Sequence, residues 1–185
     1  SYVYANSGKM DVINNSDTAL SYAFVLTSYS NSYFKATDVA FINDGEINLY
    51  GKNNIGIGLN HANSHKMRKG TNFYLNNPIN ILSDDSFGLY NLNNDFLKSN
   101  DVFSYINLAI GSRSGDTSYT DLKGDVHTIN NKEIDGAFGI VYESKVAAPS
   151  QEMDGFVKTK IDINQFANNA VGIYPKNGTL KFNSL

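Results

Sequence analysis

The hydrophobic positions of this chain fall into short period-2 groups rather than long helical stripes. The clearest case pairs Ile47-Asn48-Leu49 with Ile55-Gly56-Ile57: apolar-x-apolar, a polar turn, then apolar-small-apolar. Ile79-Asn80-Ile81 with Phe87-Gly88-Leu89 repeats it, and in both copies the triplets start eight residues apart. Met10-Asp11-Val12 with Thr18-Ala19-Leu20 shows the same spacing. Ile161-Asp162-Ile163 with Val171-Gly172-Ile173 carries two extra residues in the turn. Val126-His127-Thr128 with Phe138-Gly139-Ile140 makes a looser fifth copy. The small residues at 19, 56, 88, 139 and 172 are separated by 37, 32, 51 and 33 residues. The long gap predicts a degenerate copy plus a loop around Ile106 to Gly115.

Period 2 places both apolar residues of a triplet on one face of a strand. Strands this short do not hold together alone. Asn43-Asp44-Gly45, Asn76-Asn77-Pro78 and Gly51-Lys52-Asn53-Asn54 supply turn chemistry between them. A repeated strand-turn-strand unit with an unsatisfied apolar face is the sequence form of a solenoid, in which the next unit covers that face. An antiparallel β-sandwich also needs short strands, but it does not require a fixed offset of eight. The expected fold is therefore all-β, a β-solenoid with loop decorations over residues 1–185. Ile47–Leu49 should pair in parallel with Ile79–Ile81, side chains inward. A small residue in the middle of the second triplet suits a bend or a close backbone approach. Ser16–Ser28 and Asp95–Ile110 compete between helix and strand, and their Tyr, Phe, Val and Thr content favours strand.

Composition narrows the function classes. The formal charge is −3, and only 18% of residues are charged. There is no basic footprint for nucleic acid or for an anionic membrane surface. Polarity comes from amides and hydroxyls instead, with 26 Asn. That suits a surface where side chains stack in rows and like charges would repel. The absence of Cys removes disulfides, thiolate metal sites and Cys nucleophiles. No apolar run approaches the roughly 18 residues of a spanning helix. Ser1 to Tyr4 has no signal-peptide character.

The run Ile42-Asn43-Asp44-Gly45-Glu46-Ile47-Asn48-Leu49-Tyr50-Gly51-Lys52-Asn53-Asn54-Ile55-Gly56-Ile57, and the later Asn168-Asn169-Ala170-Val171-Gly172-Ile173-Tyr174, resemble the repeats of large bacterial autotransporter passengers, closest to the fusobacterial type of adhesin. The resemblance implies a right-handed parallel β-helix, here one segment of a longer passenger domain. It also implies display on the bacterial cell surface or secretion, with the membrane reached only through a C-terminal barrel that this chain does not contain. Host-cell proteins or glycans are the implied partners.

Candidate chemistry is sparse. Gly56-Ile57-Gly58 lacks the third glycine of a dinucleotide fingerprint. Gly111-Ser112-Arg113-Ser114-Gly115 carries Arg where a nucleophile elbow needs Ser. His61 and His65 have metal-ligand spacing only if helical, beside a basic stretch Lys66-Met67-Arg68-Lys69 that reads as a solubilising loop. His127 reads as an outward strand position. Acids occur as Asp84-Asp85, as Asp116 with Asp121 and Asp125, and as Glu133 with Asp135. Asp is expected in turns, and the Asp116–Asp125 stretch does not match the calcium loop. Tyr and Phe suit either internal stacking or an adhesive face. No catalytic, cofactor-binding or metal residue is assigned. The expectation is a non-catalytic adhesin or stalk. The alternatives are a polysaccharide-acting enzyme on the same scaffold, marked by converging acids, and a pure spacer.

Overall fold

The structure, a computed structural model, describes residues 2–28, 39–61, 71–93, 105–144, 152–153, 160–177 and 179–180. The described residues form strands and turns, with no helix among them. Three complete three-stranded coils come first: β1 (Tyr2–Asn6), β2 (Lys9–Asn14) and β3 (Ser21–Ser28); β4 (Val39–Asn43), β5 (Glu46–Lys52) and β6 (Asn54–His61); β7 (Thr71–Leu75), β8 (Ile79–Asp84) and β9 (Ser86–Asn93). A fourth coil has β10 (Tyr105–Ile110) and β13 (Ala137–Ser144), with a hairpin of β11 (Thr117–Thr120) and β12 (Val126–Ile129) between them. β14 (Glu152–Met153) follows, then β15 (Lys160–Gln165), β16 (Ala170–Asn177) and β17 (Thr179–Leu180).

The coils stack in parallel into a β-solenoid. One wall is the sheet β3-β6-β9-β13-β16, and the other joins β1, β4 and β7 to β2, β5, β8 and β15 through β10. The expected pairing holds: Ile47 lies beside Ile79, and Leu49 beside Ile81. All four are completely buried. The inner columns run Met10–Ile47–Ile79–Leu108–Ile163 and Val12–Leu49–Ile81–Ile110–Gln165. Each fully buried aliphatic side chain contributes about 1.5–3 kcal/mol, so a coil gains most of its stability from the coils above and below it. Aromatic rings fill the first end of the core, where Phe24 lies 4.6 Å from Phe41 and 5.7 Å from Tyr4.

Gly56, Gly88, Gly139 and Gly172 form a column in the opposite wall. A Cβ on Gly56 would sit 2.5 Å from the Gly88 carbonyl oxygen and 3.0 Å from Ile79, a core residue. Ile57, the next residue, is also buried in the core. Two consecutive inward positions mean the strand bends here, and the close approach of successive backbones excludes a side chain. Outside, amides form ladders. Asn80 donates to Asn48 at 2.9 Å, and Asn48 donates to Asp11 at 2.9 Å. At another corner Asn6 donates to Asn43 at 2.9 Å, and Asn43 to the Asn77 carbonyl at 3.0 Å. These rows satisfy polar groups that stacking would otherwise bury unpaired.

The register revises three of the expected copies. Tyr22-Ala23-Phe24, not Thr18-Ala19-Leu20, aligns with Ile55-Gly56-Ile57. Residues 15–20 are a longer turn: Asn14 donates to the Ala19 carbonyl (2.8 Å), and Ser16 Oγ accepts the Thr18 and Ala19 amides. In the last copy Ile163 aligns with Leu108, and so with Ile79. The nine residues from Ile163 to Gly172 then equal those from Ile79 to Gly88, and no turn residue is extra. Val126–Thr128 belongs to the hairpin, and the first triplet of that coil lies in β10, where the degenerate copy was expected. Of the two ambiguous stretches, the first resolves as strand at Ser21–Ser28 and the second at Tyr105–Ile110. The rest of the second stretch lies outside the described residues.

Gly56→Ala should lower the denaturation free energy by about 1–3 kcal/mol through overpacking. Gly8→Ala, with open space around its Cβ, should leave the urea midpoint unchanged. Ile81→Asp should cost at least about 4 kcal/mol, because it buries an unpaired charge. A cooperative melt at the wild-type temperature for that variant would refute the inward assignment.

Candidate functional site

The fourth coil replaces its tight corner with residues 111–136, and this insertion forms one side of a cleft against the solenoid wall. Gly111 adopts φ +89°, which lets the chain leave the wall; a Cβ there would meet Asn131 Oδ1 at 2.6 Å. Asn131 clamps the foot of the hairpin, accepting the Ser112 amide and donating to the Ser112 carbonyl, both at 2.8 Å. At the other foot the Asp85 amide donates to the Asp135 carbonyl (3.0 Å) and the Ser86 amide to the Gly136 carbonyl (3.1 Å). Asp84 Oδ1 accepts the Asp135 amide at 3.0 Å. The Gly111 amide donates to the Ile81 carbonyl at 2.9 Å, so the insertion is bonded to the solenoid at both ends.

The hairpin tip is set by Asp121. Its Oδ1 accepts the amides of Lys123 (2.8 Å) and Asp125 (3.0 Å), and its Oδ2 lies 2.7 Å from His127 Nε2. The His127 bond, with those backbone donors, holds the Asp121 carboxyl below the usual carboxylate range. Tyr119 pairs across the hairpin with His127 and is stacked between two rings, Tyr50 at 4.7 Å and 16° and His127 at 4.9 Å and 15°. Its hydroxyl donates to Asn15 Oδ1 at 3.2 Å. Burial pushes the Tyr50 and Tyr119 phenols up, with nearby carboxylates adding to it. Ile129, Ile134 and Leu82 are buried beneath the hairpin.

Between hairpin and wall lies a cleft of about 280 Å³, bordered by Asn15, Lys52, Asp84, His127, Asn130 and Glu133, with Leu82, Ile129 and Ile134 as apolar lining. Two acids that are separate in sequence, Asp84 and Glu133, border this cleft. Lys52 binds Asp17, which raises the lysine pKa and lowers that of Asp17. The carboxyls whose pKa departs from the ordinary value, Asp17, Asp121 and Asp162, all move down. That direction favours the ionised form and is the opposite of a general acid's tuning.

Other candidates resolve differently. Gly111–Gly115 is a turn in which the Gly115 amide donates to the Ser112 carbonyl, and Arg113 sits 5.2 Å over the Phe166 ring. No group of three or more metal-ligating side chains occurs among the described residues. Asp121 is spent on its own turn and on His127. His61 ends β6, while His65 and Lys66–Lys69 lie outside the described residues. The aromatic residues occupy two settings. Beyond the core rings, a second set lines the outer face of the β9–β13–β16 wall: Phe87 is 5.5 Å from Phe138 and 5.4 Å from Tyr90, and Phe138 is 5.4 Å from Tyr174. Tyr90 donates to Glu143 at 2.5 Å, and burial with that bond raises its phenol pKa. Lys176 pairs with Glu143 at 3.4 Å.

The fold and its site define the class of protein as a β-solenoid that carries a hairpin on an outer corner. No protein-family model, no curated protein and no solved structure matches the chain. Sequence reasoning missed Tyr50, Tyr119 and Lys52 as site residues. Each sits in an ordinary strand or turn context, and only the β11–β12 alternation in Thr117-Ser118-Tyr119-Thr120 and Val126-His127-Thr128-Ile129 signalled a hairpin.

The depressed Asp121 pKa gives a signed pH dependence. Its contribution to hairpin docking is fully present above the unfolded carboxyl value near pH ~4, and is lost as pH falls through the lower folded value. In NMR, the ring-current shift that Tyr119 imposes on the His127 ring should persist at neutral pH and collapse only in that acid range. Its disappearance already between neutral pH and about pH 5 would contradict the Asp121 anchor.

Proposed function

We propose that this chain is a non-catalytic segment of an exported bacterial passenger protein, an adhesin or stalk of the autotransporter kind, presented at the cell surface or secreted. The carrying observation is the stack of equivalent positions: columns of inward aliphatics, a column of glycines and ladders of asparagine, coil upon coil. Such an architecture gains length by repetition and offers a long exposed wall. The outer aromatic row from Phe87 to Tyr174 and the hairpin cleft supply two surfaces of the kind that binding uses. The partners on this reading are host-cell proteins or glycans. Export rests on the repeat resemblance and the lack of cysteine.

Purified chain carrying a fluorescent label should bind host cells saturably and leave soluble polysaccharides uncut. Chain shortening of a polysaccharide, by viscometry or reducing-end release, would replace this reading with the enzymatic one. A parent reading frame without an outer-membrane barrel or any export signal would overturn the surface assignment.

A further inference from the structure

We propose that the two ends of the stack fit one another, so that copies of this chain associate head to tail, last coil on first coil, into open-ended rods; the inference rests on the coil register and is independent of the adhesive reading above. Among the described residues, β2 and β3 at one end, and β15 and β16 at the other, each have a strand neighbour on one side only. Their outer edges carry unpaired backbone amides and carbonyls, a template for another strand. The apolar columns also stop uncovered. In the column Tyr4–Phe41–Phe73 the two Phe rings are buried, whereas Tyr4 is 48% exposed. In the column Phe24–Ile57–Leu89–Ile140–Ile173 the three interior side chains are completely buried and Ile173 is 36% exposed. Met10 and Val12 at one end, and Ile161 and Ile163 at the other, are only partly buried. A solenoid that stops needs terminal coils with a polar outer face. Of the inner columns named here, only the one ending in Gln165 closes on a polar residue.

The glycine column identifies another coil as the occupant. A Cβ on Gly56, Gly88 or Gly139 would meet the carbonyl oxygen of the next glycine in the column at 2.5, 2.9 and 2.4 Å. A Cβ on Gly172 would meet only side-chain atoms, Gln165 Nε2 at 2.8 Å and Ile163 Cδ1 at 3.8 Å. The last coil thus keeps open the close backbone approach that the others use. The outward rows make the first coil of a second copy the matching surface. Continuing the register one coil past β15 sets that copy's Met10 beside Ile163, its Lys9 beside Asp162 and its Asp11 beside Asn164. Met10 on Ile163 is apolar on apolar. Lys9 on Asp162 puts opposite charges side by side, as Lys9 and Glu46 already are within one chain. Asn164 meets Asp11 as Asn48 does, where the amide donates to the carboxylate at 2.9 Å. In the other wall the same step sets Phe24 on Ile173 and the small Ala23 on Gly172. The two faces differ, so the contact is heterologous and does not close on itself.

Sedimentation velocity and small-angle X-ray scattering of the purified chain at rising concentration test this. The expected result is a series of species that lengthen at constant cross-section. Gly172→Val should weaken association at least about tenfold by filling the backbone approach. Lys9→Glu and Asp162→Lys lie at solvent-accessible positions and should leave the melting temperature unchanged. Each should weaken association about fivefold, and mixing the two variants should restore it, because each reversed charge then meets its complement. A monomer at every concentration, a dimer that grows no further, or association indifferent to Gly172→Val and to the charge reversals overturns the proposal. Amide hydrogen exchange supplies a second readout. The outward-pointing amides of β2 and β16 should exchange freely in dilute chain and become protected on association. Protection already present in the dilute monomer would mean that another segment of the same chain covers the ends, and would equally overturn it.

Discussion

Parallel stacking in register governs this molecule. A coil such as β4–β6 presents an apolar face that no part of the same coil can cover, and Ile47 and Leu49 leave water only because Ile79 and Ile81 lie directly beneath them. The same stacking supplies the backbone hydrogen bonds between successive coils. A shift of one residue would turn an inner column outward and put asparagines inside. Register and burial therefore enforce one another, and where covering fails the apolar residues surface: Val171 and Ile173 in β16 are 41% and 36% exposed.

Corners carry the remaining constraints. The glycine column exists because backbones approach there more closely than a methyl group permits. The asparagine rows exist because an amide both donates and accepts, so one residue type can repeat without a net charge building along the row. This explains why a chain with so polar a composition has so few charges. The charged residues lie both in turns and the hairpin and on strands, as at Lys9, Asp11, Lys160 and Asp162.

The hairpin is where the repeat gives way to something particular. Its insertion ends the β8–β10 pairing at Ile81, where β5 pairs on to Asp84, and Asp135 and Gly136 then resume bonding to Asp85 and Ser86. The outward row Ile13–Tyr50–Leu82 is polar neither in sequence nor in its setting. It is covered by Tyr119, Ile129 and Ile134, a small second core outside the first. Variable chemistry on a rigid repeating scaffold is a common way for binding residues to be displayed.

The amino-acid pattern alone determined the fold class, the parallel pairing of Ile47–Leu49 with Ile79–Ile81, and the place of the small-residue bend, because period and burial are local properties that repeat. It misjudged three copies, the first, the last and the one begun at Val126, since a triplet such as Thr18-Ala19-Leu20 can arise inside a turn, and turn length is set by side-chain bonds such as Asn14 to Ala19 rather than by hydropathy. Only tertiary structure decided that Tyr50, Tyr119 and His127 stack, and that Asp84 and Glu133 border one cleft. Tyr50 lies 69 positions from Tyr119 and Asp84 lies 49 from Glu133, and no local periodicity encodes a meeting that depends on how a hairpin folds back across a wall.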